Sequence, residues 1–148
     1  MRSWRREFLG SIAEIVAAAQ WVDQIVSEQK LAPDRTYALR VCVEELLINI
    51  LHHGGATSPK IDLTLTLIPG RIELRIEDDG KPFDVSASTP RPVNQPLERT
   101  KPGGLGIQLI HSFADRLSYG RIGEKNRVVA EFLLPEHPIL DLSDSIRQ

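Results

Sequence analysis

The chain has 148 residues, of which 41% are hydrophobic and 26% charged, and its formal net charge is -2. These values suit one globular domain with a core. They argue against a nucleic-acid or membrane partner, because both usually need a concentrated basic surface. Three arginines lie within the first six residues, but no long apolar run follows them, so the sequence predicts neither a secretory signal nor a transmembrane span. The single cysteine, Cys42, cannot form an internal disulfide, which favours a cytoplasmic location.

The first third of the chain has the pattern of one short strand followed by two helices. Trp4–Leu9 is predicted to be an edge strand. Ser11 and Glu14 have the spacing of a capping box, in which each residue satisfies a backbone N–H of the other. Apolar residues then recur at helical spacing to about Gln29. A second helix is predicted over about Asp34–His53, since a proline precedes it and a pair of glycines follows it.

Two later regions alternate between apolar and polar residues, which is the period of a half-buried strand. The first has strands over Ile61–Leu67 and Ile72–Ile76, joined by a Pro-Gly turn. The second has strands over Leu117–Ile122 and Arg127–Leu134, with a turn at Gly123–Asn126. Each region is therefore predicted to be a β-hairpin.

A proline-rich segment and a glycine-rich helix start lie between the two hairpins. Residues 84–102 contain four prolines and few large apolar side chains, so they predict a long loop, which in a compact domain is usually either functional or disordered. A third helix is predicted from the glycines at 103–106 to about Asp115. The order of elements predicts an α/β domain with helices on one face of a mostly antiparallel sheet. This domain is expected to cover residues 1–135, with a C-terminal extension over residues 136–148.

The second helix carries a polar stripe beside its apolar face. Glu45, Asn49 and His53 are spaced four residues apart, so their side chains lie one above the other. A carboxylate at Glu45 can accept a proton or orient a nucleophile. The amide oxygen of Asn49 is a ligand suited to Mg²⁺. The same stripe is also typical of a solvated helix face, and the helix by itself favours that simpler interpretation.

Two glycine-containing segments offer further candidate sites. Asp78 and Gly80 directly follow a strand, where a carboxylate can meet the amine edge of a ligand and glycine lets the backbone approach closely. The third helix starts at a segment made up of Gly103, Gly104, Leu105 and Gly106. Free N–H groups at such a helix start can bind a phosphate. Taken separately, the first segment is also typical of an acidic turn and the second of a flexible hinge.

In this order, the three segments resemble the GHKL ATPases, which include gyrase, heat-shock chaperone, sensor histidine kinase and mismatch-repair ATPases. Glu45–Gly54 resembles their N box, Asp78–Gly80 their G1 box and Gly103–Gly106 their G2 box. The small size, and Phe83 three residues after the G1 glycine, are most similar to the stand-alone bacterial anti-sigma factor serine/threonine kinases. The resemblance covers roughly residues 4 to 134. It departs at Pro82, which stands where a glycine is often found and which lacks an N–H.

The resemblance implies a Bergerat fold, a two-layer sandwich of helices on a mixed, mostly antiparallel sheet that binds ATP with Mg²⁺. It implies that Asp78 bonds the adenine amino group and that Gly80 allows close approach. Asn49 would hold Mg²⁺ on the triphosphate. Glu45 would be the general base for the attacking hydroxyl.

The resemblance also implies where the rest of the nucleotide is held. Gly104 and Gly106 would hold phosphates, and residues 84–102 would form a lid over them. The other nucleotide-binding candidates are His53, Phe83, Gly103 and Leu105.

The implied function is a serine/threonine protein kinase that phosphorylates a small STAS-type antagonist protein. The kinase itself would also sequester a sigma factor, and the family resemblance suggests that it is a homodimer. One alternative is a nucleotide-dependent binding module that controls its partner without phosphotransfer. Another alternative is a detached histidine-kinase-like ATPase core. The sequence argues against it, because no helix pair with a phosphoacceptor histidine precedes the domain.

Overall fold

The computed structural model describes residues 1–55, 59–87 and 104–135. Eight helices and strands follow one another in the order β1 (Arg2–Leu9), α1 (Ile12–Glu28), α2 (Pro33–His53), β2 (Lys60–Ile68), β3 (Arg71–Asp78), α3 (Gly104–Phe113), β4 (Arg116–Ile122) and β5 (Lys125–Leu133). A short 3-10 turn over Val85–Ala87 follows β3. Within these described ranges, no helix is long and apolar enough to cross a membrane.

The five strands form a single sheet in the order β1-β2-β3-β5-β4. Every pairing among the described strands is antiparallel. In the register, Leu74 of β3 faces Leu65 of β2 on one side and Ala130 of β5 on the other. The strand predicted at residues 4–9 is β1, and it lies at the edge of the sheet as expected.

One face of the sheet packs against the helices and forms the core. In β3, buried and half-buried residues alternate strictly, because successive side chains of a strand point to opposite faces. Its inward residues are Ile72, Leu74 and Ile76, which pack with buried side chains of α1 and α2 such as Val22 and Leu39. The helix–sheet sandwich predicted from the order of elements is therefore present.

The opposite face of the sheet carries charged side chains in pairs. Glu77 bonds Arg127 at 3.0 Å and lies 3.6 Å from Arg75. Asp62 pairs with Arg5, whose hydrogen bonds and charge lower the pKa of that carboxyl. This face is mainly polar but also carries Val129 and Leu133, while the buried apolar side chains of the sheet lie on the helical face.

The ends of the first two helices follow the predicted signals with one difference. The Ser11 side chain accepts a hydrogen bond from the Glu14 N–H at 3.2 Å. The Glu14 carboxylate accepts from the N–H of Leu9 at 3.3 Å, and not from that of Ser11, whose N–H donates to the Leu9 carbonyl. The predicted capping box is thus half formed. The second helix begins at Pro33 and is capped by Gly54.

The predicted turn at Gly123–Asn126 is wrong by two residues. The turn consists of Gly123 and Glu124, and β5 already begins at Lys125. Asn126 therefore lies inside a strand, with only 4% of its surface exposed. It precedes the inward-facing Val128 by two residues, and buried hydrogen bonds to its amide outweigh the turn preference of asparagine.

The first four residues of the predicted loop, 84–87, are among the described residues. The Asp84 carboxylate accepts hydrogen bonds from the N–H groups of Ser86 and Ala87 at 2.9 and 3.2 Å. This turn buries Val85 to 3% exposure in the core. Residues 88–103 and the predicted extension at 136–148 lie outside the described residues, so the lid and the extension stay predictions.

Candidate functional site

A pocket lies where α2, β3 and β5 meet, and it contains residues of two predicted motifs. Its apolar walls are formed by Leu46, Ile50, Ile76, Val85 and Val128. Its polar lining is formed by Asn49, His53, Asp78, Lys81 and Asn126. The fold thus brings the polar stripe of the second helix to the end of the first hairpin. An apolar slot with a few converging polar groups is the usual form of a small-molecule site.

Asn49 is buried in this pocket and its amide is not satisfied. The residue is 3% exposed, so the polar stripe is not a solvated helix face at this position. The amide Nδ2 has no hydrogen-bond partner among the described residues. Leaving a buried polar group unpaired costs about 1–3 kcal/mol, and such a group needs an explanation. A bound ligand that meets the amide supplies one.

Asp78 presents a carboxylate to the same pocket. The residue is 5% exposed, and its Oδ1 accepts hydrogen bonds from the Gly80 N–H at 2.9 Å and the Asn126 Nδ2 at 3.1 Å. Among the described residues, both of its hydrogen bonds go to Oδ1, which leaves Oδ2 for a ligand. Burial raises the pKa of this carboxyl, and the two hydrogen bonds oppose that rise. An ionised carboxylate only accepts hydrogen bonds, so it suits an amine-bearing ligand.

Gly80 joins the two motifs by close backbone packing. A Cβ at this position would lie 2.8 Å from the Cα and 3.1 Å from the carbonyl oxygen of Gly54. It would also lie 2.8 Å from the Asp78 carboxylate. Glycine is therefore required for the turn after β3 to pack against the end of α2.

Replacing Gly80 by alanine should reduce stability by about 1–3 kcal/mol, because the new methyl group meets backbone atoms that cannot rotate away. Gly120 provides the matched control, since a Cβ there meets nothing within 4 Å. Gly120→Ala should be neutral or stabilising by up to about 1 kcal/mol, since alanine costs less backbone entropy. Thermal unfolding of both variants measures the difference, and equal melting temperatures would refute the packing requirement at Gly80.

Glu45 lies at the junction of α2 with the start of α3. A Cβ on Gly106 would overlap the Glu45 carboxylate, so this glycine makes room for that side chain. Burial raises the pKa of Glu45, and the neighbouring Glu44 adds to the rise. Burial together with Glu45 raises the pKa of the Cys42 thiol to about 12, so that thiol is not a nucleophile at neutral pH. The structure thus gives Gly106 a packing role, and its predicted phosphate contact stays a prediction.

The remaining candidate residues lie in the pocket, at the start of α3 or outside the described residues. The rings of His53 and Phe83 stack in parallel, with centroids 4.0 Å apart and planes 7° apart. Both side chains line the pocket. Gly104 and Leu105 open α3, while Gly103 lies outside the described residues.

Sequence reasoning missed one residue of the pocket that bonds directly to a predicted one. Asn126 donates to Asp78 and lines the pocket from β5. Its signal was the alternation that continues from Phe132 and Val128 to position 126, which marks it as inward-facing. The prediction of a four-residue turn concealed that signal.

Known proteins with similar sequences identify the domain. A family model described as the histidine kinase-like ATPase domain matches residues 10–132. The chain belongs to this family. The matched range includes all three motifs and the pocket, so the GHKL resemblance is confirmed. Membership of this ATPase-domain family implies that the domain uses a nucleotide.

Two relatives within this histidine kinase-like family carry kinase names. The serine/threonine-protein kinase BtrW of Bordetella bronchiseptica is 29% identical over 106 residues, which is 70% of this chain and 75% of BtrW. The serine-protein kinase RsbW of Halalkalibacterium halodurans is 28% identical over 83 residues, which is 53% of this chain. The match spans about half of RsbW, 51% of its length. Both names agree with the predicted serine/threonine kinase branch.

Solved structures confirm the fold of this histidine kinase-like domain. The RsbU and RsbW domains of a Mycobacterium tuberculosis protein align with a TM-score of 0.65 at 11% identity, over 90% of this chain and 33% of that one. The SiaB–SiaC complex of Pseudomonas aeruginosa aligns with a TM-score of 0.63 at 12% identity, over 87% of this chain and 88% of that one. At these identities the likeness shows the fold alone.

Proposed function

We propose that the chain is an ATP-dependent serine/threonine protein kinase of the anti-sigma type, which transfers the γ-phosphate of ATP to a small antagonist protein. The observation that carries the proposal is the pocket, where a buried acceptor at Asp78 and an unpaired buried amide at Asn49 both line an apolar slot. Glu45, a candidate base, lies one helical turn before Asn49. The kinase names of the two sequence relatives support the same activity.

The apolar slot suits a flat heterocycle. Its walls, Ile50, Ile76 and Val128 among them, can pack against both faces of a purine. Asp78 Oδ2 would accept a hydrogen bond from the 6-amino group of adenine. A purine with a carbonyl at that position would place two acceptors face to face, and the site would reject it. The proposed ligand is therefore an adenine nucleotide.

Asn49 is the residue proposed to hold Mg²⁺. Its buried unpaired amide supports a polar ligand at this position. The two ends of an amide have nearly the same shape, so its oxygen can be turned to a cation. Among the described residues, no three His, Cys, Asp or Glu side chains converge on a metal site, so the other ligands would be waters and phosphate oxygens. Bound Mg²⁺ would neutralise charge on the triphosphate.

Asn49→Ala should weaken Mg²⁺-dependent ATP binding at least ~10-fold, since a carbonyl ligand and its alignment are lost. The affinity measured in excess chelator should change much less. His52→Ala is the control, because His52 is exposed on the same helix turn and should leave both affinities unchanged. Calorimetric titration with and without Mg²⁺ makes the comparison. An Asn49→Ala variant with wild-type Mg²⁺ dependence would remove Asn49 from the metal site.

The partner is proposed to be a protein with an acceptor serine or threonine. The fold neighbour SiaB was solved in a complex with SiaC, which supports a protein partner for this chain. The sequence expectations of a STAS-type antagonist, a sigma factor, a homodimer and a cytoplasmic location remain part of the proposal.

The decisive assay incubates the chain with ATP labelled at the γ-phosphate and with candidate antagonist proteins. We expect label on a serine or threonine of one candidate, and none on the variant of that candidate in which this residue is changed to alanine. ATP binding without transfer to any candidate would favour the binding module instead. Acid-labile label on a histidine would favour the relay core.

A further inference from the structure

Asn126 connects the candidate nucleotide pocket to strand β4. It lies opposite Asp78 in the β3–β5 register, and its Nδ2 donates to Asp78 Oδ1 at 3.1 Å and to the Lys81 carbonyl at 2.9 Å. Its Oδ1 accepts from the Tyr119 hydroxyl at 2.6 Å and from Arg121 Nη1 at 3.1 Å. Both ends of this buried amide are therefore bonded.

The direction of the Asn126 amide is fixed by its partners. A guanidinium only donates hydrogen bonds, so the amide oxygen must be the atom that faces Arg121. The N–H groups must then face Asp78 and the Lys81 carbonyl, both of which only accept. Asn126 thus presents a donor to the Asp78 carboxylate, and a flipped amide would place acceptor against acceptor on that side.

Arg121 also holds the turn after β3, which contains Gly80 and Lys81. Its Nη1 donates to the Gly80 carbonyl at 2.9 Å, while the Gly80 N–H bonds Asp78 Oδ1 at 2.9 Å. The turn after β3 is consequently fixed by side chains of both β4 and β5.

We propose that Asn126 is a positioning residue of the nucleotide site, which acts through Asp78 by holding Oδ1 so that Oδ2 faces the amine of the ligand. This inference rests on the proposed function, since it assumes that Asp78 accepts from the base of a bound nucleotide. Tyr119 and Arg121 support the role by orienting the Asn126 amide.

The role predicts a change in the pH dependence of binding. Burial raises the pKa of Asp78, and the hydrogen bond from Asn126 is the largest effect that lowers it. Of the charges around Asp78, Asp79 raises that pKa and Arg121 lowers it. Lys81 and His53 line the same pocket. The ionised carboxylate of Asp78 carries no proton, so it can only accept from the amine of the ligand. Binding is therefore strong above the pKa of Asp78 and weakens as the pH falls through it. Without the Asn126 donor, the weakening should begin at a higher pH.

Valine and threonine at position 126 provide a matched pair of variants. They have nearly the same shape and both suit a strand, but only threonine carries a hydroxyl that can donate to Asp78. The dissociation constant of ATP is measured for wild type, Asn126→Val and Asn126→Thr from neutral to acidic pH, after thermal melting has shown that each is folded. Effects of pH that are common to all three proteins, such as protonation of the phosphates, cancel in the ratios.

We expect the ratio of the Val constant to the Thr constant to grow on acidification, by up to ~10-fold for each pKa unit of difference. Threonine should restore the profile toward that of wild type. A ratio that is constant across the pH range would overturn the positioning role, even if both variants bind weakly. If wild type itself binds no ATP, the proposed function fails; if wild type binds and the ratio is constant, only the role of Asn126 fails.

Discussion

Replacing Glu45 by glutamine should reduce phosphate transfer at least ~10²-fold, which is the usual contribution of a positioned general base. Glutamine keeps the shape of the side chain beside Gly106 but cannot accept the proton of the incoming hydroxyl. ATP affinity should stay within a few-fold of wild type, or tighten, because one negative charge near the triphosphate is lost. The rate of label transfer to the antagonist and the calorimetric affinity for ATP measure the two effects separately.

Glu44→Gln is the matched control for this change. Glu44 lies next to Glu45 but bonds Arg40 at 3.3 Å, so its variant should transfer phosphate at close to the wild-type rate. The wild-type rate should itself fall as the pH drops through the pKa of Glu45, which burial and Glu44 raise, because only the ionised carboxylate is a base. If the Glu45→Gln variant transferred phosphate at the wild-type rate, Glu45 would not be the base.

Asp78→Asn should weaken ATP binding roughly 10-fold to more than 100-fold, which corresponds to the ~1.5–3 kcal/mol of a hydrogen bond to a charged group. Asparagine can keep its oxygen at Oδ1, where the Gly80 N–H and Asn126 donate. Its NH₂ group then takes the place of Oδ2 and faces the amino group of adenine, donor against donor. The fold should remain, since no bond within the protein is lost.

Two comparisons make this prediction specific to Asp78. Inosine triphosphate, which has a carbonyl in place of the amino group, should bind Asp78→Asn at least as well as it binds wild type. Asp79→Asn is the control variant, because the Asp79 carboxylate is exposed and bonds the Lys60 N–H at 2.9 Å. It should bind ATP nearly as wild type does. Equal ATP affinity of wild type and Asp78→Asn would remove Asp78 from the site.

The parts of the fold that depend on local pattern could be predicted from the sequence. The alternation through Ile72, Leu74 and Ile76 predicted an inward face, and these three residues are almost fully buried. The spacing of Glu45 and Asn49 predicted one helix stripe, and the structure places both on the side of α2 that meets the pocket or α3. Periodicity is sufficient here because burial of one face decides the conformation.

The parts that depend on contacts between distant segments could not be predicted in this way. Asn126 has the preference of a turn residue, but its hydrogen bonds to Asp78 and Tyr119 hold it within β5. Gly106 has the pattern of a phosphate-binding glycine, but its lack of a side chain also makes room for Glu45. Neither the β3–β5 pairing nor the packing of α3 on α2 can be read from a local window of sequence.

The most direct test of the proposed nucleotide site is a titration of the isotope-labelled chain with ATP and Mg²⁺, followed by amide NMR. A nucleotide bound in the pocket should give saturable shifts at Asn49, Asp78, Gly80 and Asn126, which line or border it. The amide signals of the charged pairs on the outer face of the sheet, such as Arg5 with Asp62, should not shift. If saturating ATP shifts no amide, or only amides of that outer face, the pocket is not the nucleotide site.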